Sequence, residues 1–257
     1  MDAYTSFAEV YDTFMDNIPY DEWEKYLVSL LKEYGVDGGL VLELGCGTGN
    51  MTRRLAGDGY DMIAVDNSAE MLMTARNKGA GEAEEILYLL QDMRSFELYG
   101  TVRAVVSICD SMNYITEPED LKQVFKLVNN YLDPGGIFIF DMNTPYKYRD
   151  IMGSRTIAEN REDCSFIWDN FYDEEEKINE YQLSIFIRLQ EGEGPGGGEL
   201  FERYEENHFQ RAYDLKEVSD LLAESGMEFV AAYDAFSSEP VREDSERMYI
   251  IAREKGK

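Results

Sequence analysis

The stretch Val41-Leu42-Glu43-Leu44-Gly45-Cys46-Gly47-Thr48-Gly49-Asn50 decides the fold of this chain. A short apolar run ends in three alternating glycines, and residues 51–55 then follow with a helical pattern. The pattern predicts a buried strand, a tight loop and the start of a helix. Glycines suit such a loop because it takes positive φ values and lets the backbone approach a ligand closely. The free N–H groups at the start of the helix would face that ligand.

Two common nucleotide-binding patterns fit this loop poorly. A dinucleotide fingerprint, G-x-G-x-x-G, accepts Gly45 and Gly47 but places Asn50 where the third glycine belongs. A phosphate-binding P-loop needs a lysine followed by serine or threonine, and the loop contains no lysine. An ordinary turn is the alternative for three nearby glycines taken alone.

The composition indicates a folded and strongly acidic protein. The chain has 257 residues, of which 44% are hydrophobic, and a formal net charge of −28. Such a charge disfavours nucleic acid and anionic membranes as partners, and an acidic surface without functional meaning is an equal alternative. The three cysteines show no C-x-x-C spacing, so we expect no metal site and a reducing compartment. Without a signal-peptide pattern or a long apolar segment, the sequence predicts a cytoplasmic protein.

Strand and helix patterns alternate through the first 150 residues. Apolar runs at 41–44, 60–65, 85–90, 102–108 and 136–141 predict strands, and helical patterns lie between them. Thr116 and Glu119 are expected to form a capping box for one of these helices, and Asp214 and Glu217 to cap a later one. This spacing requires parallel crossovers. With closing strands at 228–236 and 247–253, it predicts an α/β fold with a Rossmann-like, doubly wound, seven-stranded and mostly parallel sheet.

The rhythm changes between residues 157 and 210, where polar and apolar residues alternate and β-formers are frequent. The pattern predicts an inserted antiparallel sheet of three or four strands. Residues 192–198, rich in glycine, mark a hairpin tip. We therefore expect a core of residues 1–150 plus 211–257 and an insertion of residues 151–210. The insertion would cover a substrate above the carboxyl ends of the main strands, where open α/β sheets bind ligands.

Asp66 is a candidate ligand for a ribose because of its position. It ends the second predicted strand about twenty residues after the glycines, where a carboxylate can accept both ribose hydroxyls of an adenosine. A loop residue or a helix cap before Ser68 is the alternative. Met71, in the helix that Ser68 opens, is near enough in sequence to pack on an adenine.

The loop pattern E-x-G-x-G-x-G resembles the first motif of class I S-adenosylmethionine-dependent methyltransferases. Leu-Asp-Pro-Gly-Gly at 132–136 and Tyr-x-x-Phe-Ala-x-x-Tyr-Asp at 4–12 are similar to segments of the same enzymes. The resemblance implies S-adenosylmethionine as cofactor and S-adenosylhomocysteine as product. The cofactor site that residue position and resemblance together predict consists of Tyr4, Tyr11, Glu43, Gly45, Cys46, Gly47, Gly49, Asp66, Asn67, Met71, Gln91, Asp92, Met93, Cys109, Asp110 and Ser111.

Some of these roles are more specific. The resemblance implies that Asp92 accepts from the adenine amino group, with a strand-end turn as the alternative. It also implies that Tyr4 and Tyr11 belong to a segment that folds over the cofactor, and simple burial of these rings against the sheet is the alternative. The segment 109–114 lies where the chain should pass the methyl-transfer centre. It lacks the Asp/Asn-Pro-Pro-Tyr/Phe motif, so methylation of the amino group of adenine or glutamine is not supported.

His208 is the only histidine, and its surroundings resemble a His-x-Gln-Arg-x-Tyr stretch found where enzymes of this type return from the inserted sheet to the core. It is a candidate for catalysis or substrate contact, and a structural histidine on a strand is the alternative. Asp110 is a second catalytic candidate. Asn113, Asn143 and Tyr172 are candidate substrate contacts by expected position.

The sequence thus predicts a methyltransferase that moves the sulfonium methyl to nitrogen, oxygen or carbon of a small molecule by direct displacement. Methylation of RNA or protein by the same fold is one alternative, although no basic groove favours RNA. A non-catalytic protein that binds S-adenosyl ligands is another, and a nicotinamide-dependent oxidoreductase is a third. We expect a monomer or homodimer with a small-molecule substrate, and neither nucleic acid nor a membrane as partner.

Overall fold

The computed structural model describes residues 10–16, 18–79, 86–189 and 198–257. Tyr4, most of the expected first helix and most of the expected hairpin tip lie outside the described residues. None of the described helices is long and apolar enough to cross a membrane.

The main sheet has seven strands and confirms the predicted fold class. The strands are β1 (Gly39–Leu44), β2 (Tyr60–Asp66), β3 (Leu87–Leu90), β4 (Val102–Ser107), β5 (Leu132–Asn143), β10 (Glu228–Asp234) and β11 (Arg247–Arg253). Their order is β10-β11-β5-β4-β1-β2-β3. The strands from β5 to β3 are mutually parallel, whereas β11 runs antiparallel to β5 and β10. The parallel strands therefore direct their carboxyl ends to one edge.

Helices cover both faces of this sheet. They are α1 (Tyr11–Phe14), α2 (Tyr20–Glu33), α3 (Asn50–Gly57), α4 (Ala69–Lys78), α5 (Pro118–Tyr131) and α6 (Leu215–Glu224). Alternate residues of β5 enter opposite cores: Phe138 and Phe140 lie with α5 and α6, and Ile137 and Ile139 lie with α2 and α3. This is why β5 reads as a continuous apolar run, since both faces of the strand are buried.

A second sheet has four antiparallel strands, in the order β6 (Arg155–Asn160), β7 (Cys164–Asp173), β8 (Ile178–Arg188) and β9 (Phe201–Arg211). Its inner face buries Leu183 and Ile185 against Val10 and Phe14. Phe14 also meets Phe166 edge to face, with ring centroids 4.8 Å apart. The antiparallel insertion is thus present, and α1 packs on it.

The start of α5 corrects one expectation. Pro118 is the first residue of this helix, so the N-cap is Glu117, which makes no side-chain capping bond. Thr116 lies one residue too early to cap the helix, and the predicted box with Glu119 does not form. At α6 the expectation is met: the Asp214 carboxylate accepts from the Glu217 backbone N–H at 2.8 Å.

This contrast between two helix starts gives a stability test. We expect Asp214→Ala to lower the free energy of unfolding by about 1 kcal/mol, because the cap bond is lost. Asp214→Asn should keep most of that stability, since asparagine caps equally well. Glu117→Ala is the matched control and should change stability by less than about 0.5 kcal/mol. Urea unfolding measures all three, and equal losses for Asp214→Ala and Glu117→Ala would contradict the assignment.

Candidate functional site

A cavity of about 840 Å³ lies at the carboxyl ends of β4, β1, β2 and β3. Of the residues expected at the cofactor site, Tyr11, Glu43, Gly45, Cys46, Gly47, Asp66, Asn67, Met71, Gln91, Asp92, Met93, Cys109 and Ser111 line it. Gly49 and Asp110 do not line it, and Tyr4 is outside the described residues. The sequence therefore located the cavity wall, while the role of each residue toward a cofactor stays a prediction.

The glycine loop is held by backbone and carboxylate contacts to β2. The N–H groups of Gly45 and Cys46 donate to the Val65 carbonyl at 2.8 and 3.1 Å. The Asp66 carboxylate accepts from the Gly47 N–H at 2.7 Å and from the Ser68 N–H at 2.9 Å. Asp66 thus fixes the loop as well as facing the cavity.

Gly45 and Gly47 are needed for different reasons. Both have positive φ, at +73° and +53°. A Cβ on Gly45 would lie 2.6 Å from the Ser111 hydroxyl oxygen, so the loop touches the turn after β4 there. A Cβ on Gly47 would have no heavy atom within 4 Å. Because Gly47 also lines the cavity, that open space is available to a ligand.

Gly49 does not line the cavity and is closely packed. It is the N-cap of α3 with φ +75°. A Cβ there would lie 2.9 Å from the Tyr88 hydroxyl oxygen and 3.1 Å from the Ala75 Cβ. Glycine at this position therefore lets α3 begin close to α4 and β3.

The carboxylates in the wall have different environments. Glu43 is 2% exposed and accepts from the Thr52 hydroxyl, and burial raises its pKa to about 8. Burial also raises the pKa of Asp66 above its ordinary value. The Arg94 guanidinium holds the pKa of Asp92 below its ordinary value, with Nη2 of Arg94 2.5 Å from Oδ2 of Asp92.

Helix α1 is attached to the glycine loop through Asp12. Its carboxylate accepts from the Thr48 hydroxyl at 2.8 Å and the Asn50 amide at 2.9 Å, and it pairs with the Lys78 ammonium at 2.5 Å. Tyr11, the neighbouring residue, lines the cavity. Helix α1 thus connects the second sheet to the cavity rim. The motif at 4–12 predicted Tyr11 at the site and contained Asp12 without a role for it, and nothing in the sequence pointed to Lys78.

Asp110 is part of an ion-pair network beside the cavity. Its carboxylate binds the Arg247 guanidinium at 2.7 Å and accepts from the Gln210 amide at 2.7 Å. Arg247 also binds Asp141 at 2.7 Å, and Asp141 accepts from the backbone N–H groups of Cys109 and Asp110. Cys109 and Asp110 both have positive φ, so this network holds a strained turn. Asp110 itself does not line the cavity, and its catalytic role stays a prediction.

The three expected substrate contacts also lie away from the cavity wall. Asn113 and Asn143 are buried and bonded to each other, with the Asn143 N–H donating to Asn113 Oδ1 at 2.9 Å. The Asn113 amide also donates to the Arg211 carbonyl at 2.8 Å, which ties β9 to the core. Tyr172 stacks on Tyr148 with centroids 6.0 Å apart. These contacts join the turn after β4 to β5 and β9, and join β7 to the segment 147–152.

His208 is 1% exposed and does not line the cavity. Its Nδ1 lies 3.2 Å from the Tyr114 hydroxyl oxygen and its Nε2 lies 3.2 Å from Oε2 of Glu206. Its ring stacks on Tyr181 with centroids 4.6 Å apart. Tyr114 does line the cavity, so His208 contacts a residue of the cavity wall.

The wall residues that were not predicted from the sequence include Tyr20, Glu70, Arg94 and Tyr114. The sequence did place segment 109–114 at the end of β4, but nothing in it distinguished Tyr114 from the other tyrosines. No described residue of the second sheet lines the cavity. Within the described part of the chain, no group of three or more His, Cys, Asp or Glu side chains could hold a metal ion.

Known proteins resemble this chain over its whole length. A family model described as a methyltransferase domain matches residues 41–136. YqeM of Bacillus subtilis (strain 168), named as a methyltransferase, is 34% identical over 251 residues, covering 97% of this chain and 96% of YqeM. GWCH70_2453 of Geobacillus sp. (strain WCH70), also named as a methyltransferase, is 31% identical, with 98% and 99% covered.

A solved structure agrees with these relatives. The crystal structure of a S-adenosylmethionine-dependent methyltransferase from Clostridium acetobutylicum ATCC 824 superposes with a TM-score of 0.85 and 28% identity. The match covers 99% of this chain and all of that one. The second sheet therefore belongs to the shared architecture.

The burial of Glu43 predicts a pH dependence of stability. Its pKa is raised to about 8 in the folded chain, so the folded state binds the proton more tightly than the unfolded state. The stabilisation is complete below the ordinary pKa and is lost as pH rises through the folded value. Relative to Glu43→Gln, the wild type should therefore lose stability between about pH 5 and about pH 8, by up to about 1.4 kcal/mol per pH unit.

Urea unfolding across this pH range measures the difference between the two proteins. Glu228→Gln, which changes an exposed glutamate on β10, is the matched control and should follow the wild type. A constant difference between wild type and Glu43→Gln at every pH would contradict the raised pKa.

Proposed function

Because this chain belongs to the class I S-adenosylmethionine-dependent methyltransferases, we propose that it methylates a nitrogen, oxygen or carbon atom of a small molecule by direct displacement. S-Adenosylmethionine supplies an activated methyl group on a sulfonium when it is bound. The chain itself has to bind and orient the reactants and exclude water.

The cavity wall fits this cofactor. The open space beside Gly47 admits a ligand against the loop backbone. Asp66 and Asp92 both line the cavity, and we propose that Asp66 accepts from the ribose hydroxyls and Asp92 from the adenine amino group. Carboxylates at the wall also suit a ligand that carries both a sulfonium and an ammonium group, since desolvated opposite charges attract.

The observation that best supports a small-molecule substrate is the volume of the cavity. Its volume of about 840 Å³ lies within the range of roughly 300–1,000 Å³ that is typical of small-molecule sites. Tyr11 of α1 and Tyr20 of α2 form part of its wall, and α1 is fixed at both the loop and the second sheet. We propose that the second sheet supports the wall that encloses the acceptor.

Charge supports the same choice of substrate. Asp66, Glu70 and Asp92 line the cavity, and the lining guanidinium of Arg94 is paired with Asp92. This favours neutral or cationic acceptors over nucleic acid.

The thiols at the site support direct displacement. Burial raises the pKa of the Cys46 and Cys109 thiols well above the ordinary value, so both remain protonated near neutral pH. A protonated thiol is a poor nucleophile. A covalent intermediate on either cysteine is therefore disfavoured.

Calorimetry tests the cofactor assignment. Wild-type protein should bind S-adenosylmethionine and S-adenosylhomocysteine and should not bind NAD. Asp66→Ala should weaken both sulfur ligands by on the order of 30-fold, because a buried carboxylate that accepts two hydroxyls is lost. Asp61→Ala, on the exposed side of the same strand, is the matched control and should bind normally. A folded wild type that binds neither sulfur ligand would overturn the proposal.

Transfer of a radiolabelled methyl group tests the substrate class. The protein is incubated with labelled S-adenosylmethionine and pools of small amines, phenols and thiols, and separately with total RNA and with denatured protein. Label in a small molecule supports the proposal. Label only in RNA or protein would replace it with the corresponding alternative, and binding without transfer in every pool would favour a non-catalytic binding protein.

A further inference from the structure

We propose that Tyr114, His208 and Glu206 form a proton relay that takes up the proton released by the methyl acceptor. The proposal rests on the proposed function, because it assigns a role within the same cavity. In this relay Tyr114 contacts the reactants, and His208 and Glu206 are positioning residues that act through it.

The three side chains form a line that leads away from the cavity. Tyr114 lines the wall, its hydroxyl oxygen is 3.2 Å from His208 Nδ1, and His208 Nε2 is 3.2 Å from Oε2 of Glu206. His208 and Glu206 are each 1% exposed. This is the order of groups in which a hydroxyl is activated by an imidazole that a carboxylate orients.

In this relay Tyr181 orients the hydroxyl proton of Tyr114 toward the imidazole of His208. Its hydroxyl oxygen lies 2.5 Å from that of Tyr114, and its ring stacks on His208 at an angle of 8°. If Tyr181 donates in this bond, the Tyr114 hydroxyl donates to Nδ1 of His208. Stacking at the same time fixes the plane of the imidazole, so both of its nitrogens keep their alignment.

The proton transfers balance as follows. The bond between the acceptor atom and its hydrogen breaks, and that proton forms a new O–H bond on Tyr114. The original Tyr114 proton moves to Nδ1 of His208, while Nε2–H continues to donate to Glu206. The carboxylate stabilises the resulting imidazolium. After the product leaves, the proton returns through Tyr114 to water in the cavity.

Burying a glutamate and a histidine together is an expensive way to stabilise a sheet, because both polar groups lose their contact with water. Apolar side chains of similar volume are often as stabilising as such a buried pair. The inner face of this sheet already packs Leu183 and Ile185 beside Tyr181 on β8. Glutamate and histidine on the adjacent strand β9 are therefore better explained by proton transfer than by packing alone.

The relay requires one tautomer of His208, and this tautomer can be measured. Because His208 is the only histidine, nitrogen-15 spectra of labelled protein contain a single imidazole. The described ionisable groups that face it are Glu206 on β9, Tyr181 on β8 and Tyr114 in the turn after β4. Gln210, the next inward residue on β9, leads to Asp110 and its partner Arg247.

The spectra should show a proton on Nε2 of His208 and none on Nδ1. Saturation with S-adenosylhomocysteine should shift the Nδ1 resonance, because the ligand displaces water from the Tyr114 hydroxyl, and Tyr114→Phe should abolish this response. A proton on Nδ1 would overturn the relay. An Nδ1 resonance that does not shift, in protein that calorimetry shows to be saturated with the ligand, would also overturn it. Failure of the ligand to bind would instead overturn the proposed function.

Kinetics with the acceptor from the labelling screen provide the second readout. Tyr114→Phe and His208→Gln should each lower kcat by on the order of 100-fold, the size of a general-base contribution. The affinity for S-adenosylhomocysteine should stay within about threefold, since the loss falls on the chemical step.

Tyr60→Phe is the matched control for loss of a buried tyrosine hydroxyl. Tyr60 donates to the Val36 carbonyl at 3.1 Å, at the amino end of β2 and away from the cavity. The Tyr60→Phe variant should lose about as much stability as Tyr114→Phe, but its kcat should not change. If His208→Gln keeps kcat and only lowers the melting temperature, His208 is structural and the relay is wrong.

Discussion

The contact between the glycine loop and the turn after β4 determines the shape of the site. At Gly45 the two segments are so close that a Cβ would lie 2.6 Å from the Ser111 hydroxyl oxygen. The loop brings Gly45, Cys46 and Gly47 to the cavity, and the turn brings Cys109 and Tyr114 to it. Any side chain at Gly45 would push the loop and the turn apart. The glycine at this position therefore sets the distance between the proposed cofactor site and Tyr114.

Buried charges hold this turn from the opposite side. Arg247 bridges Asp110 and Asp141. Asp141 also accepts from the backbone N–H groups of Cys109 and Asp110, two consecutive residues with positive φ. Removing one partner would leave an uncompensated buried charge, which is far more costly than the pair is stabilising. The strain in the turn therefore persists because paired charges on β5 and β11 oppose its relaxation.

The second sheet contributes to the site indirectly. Its inner face packs on α1, which brings Tyr11 to the cavity, and β9 places His208 and Gln210 beside Tyr114 and Asp110. Both routes join parts of the chain that are distant in sequence. The proposed proton relay and the proposed support of the cavity wall therefore both depend on this sheet.

The sequence by itself determined the features that rest on local pattern. Apolar runs, glycine positions and helix spacing gave the parallel sheet, the loop, Asp66 at the end of β2 and the inserted antiparallel strands, because each depends on neighbours within one element and its connection. The N-cap of α5 was missed by one residue since Pro118 fixed the first helical position.

Only the tertiary structure decided which distant side chains meet. Tyr114 and His208 are separated by 94 positions, and Asp110 and Arg247 by 137. The pairing register of β9 places His208 opposite Tyr181, and the place of β11 between β5 and β10 brings Arg247 to Asp141. Strand register and sheet order depend on the packing of the whole core, so local sequence could name His208 but not the partners that give it a role.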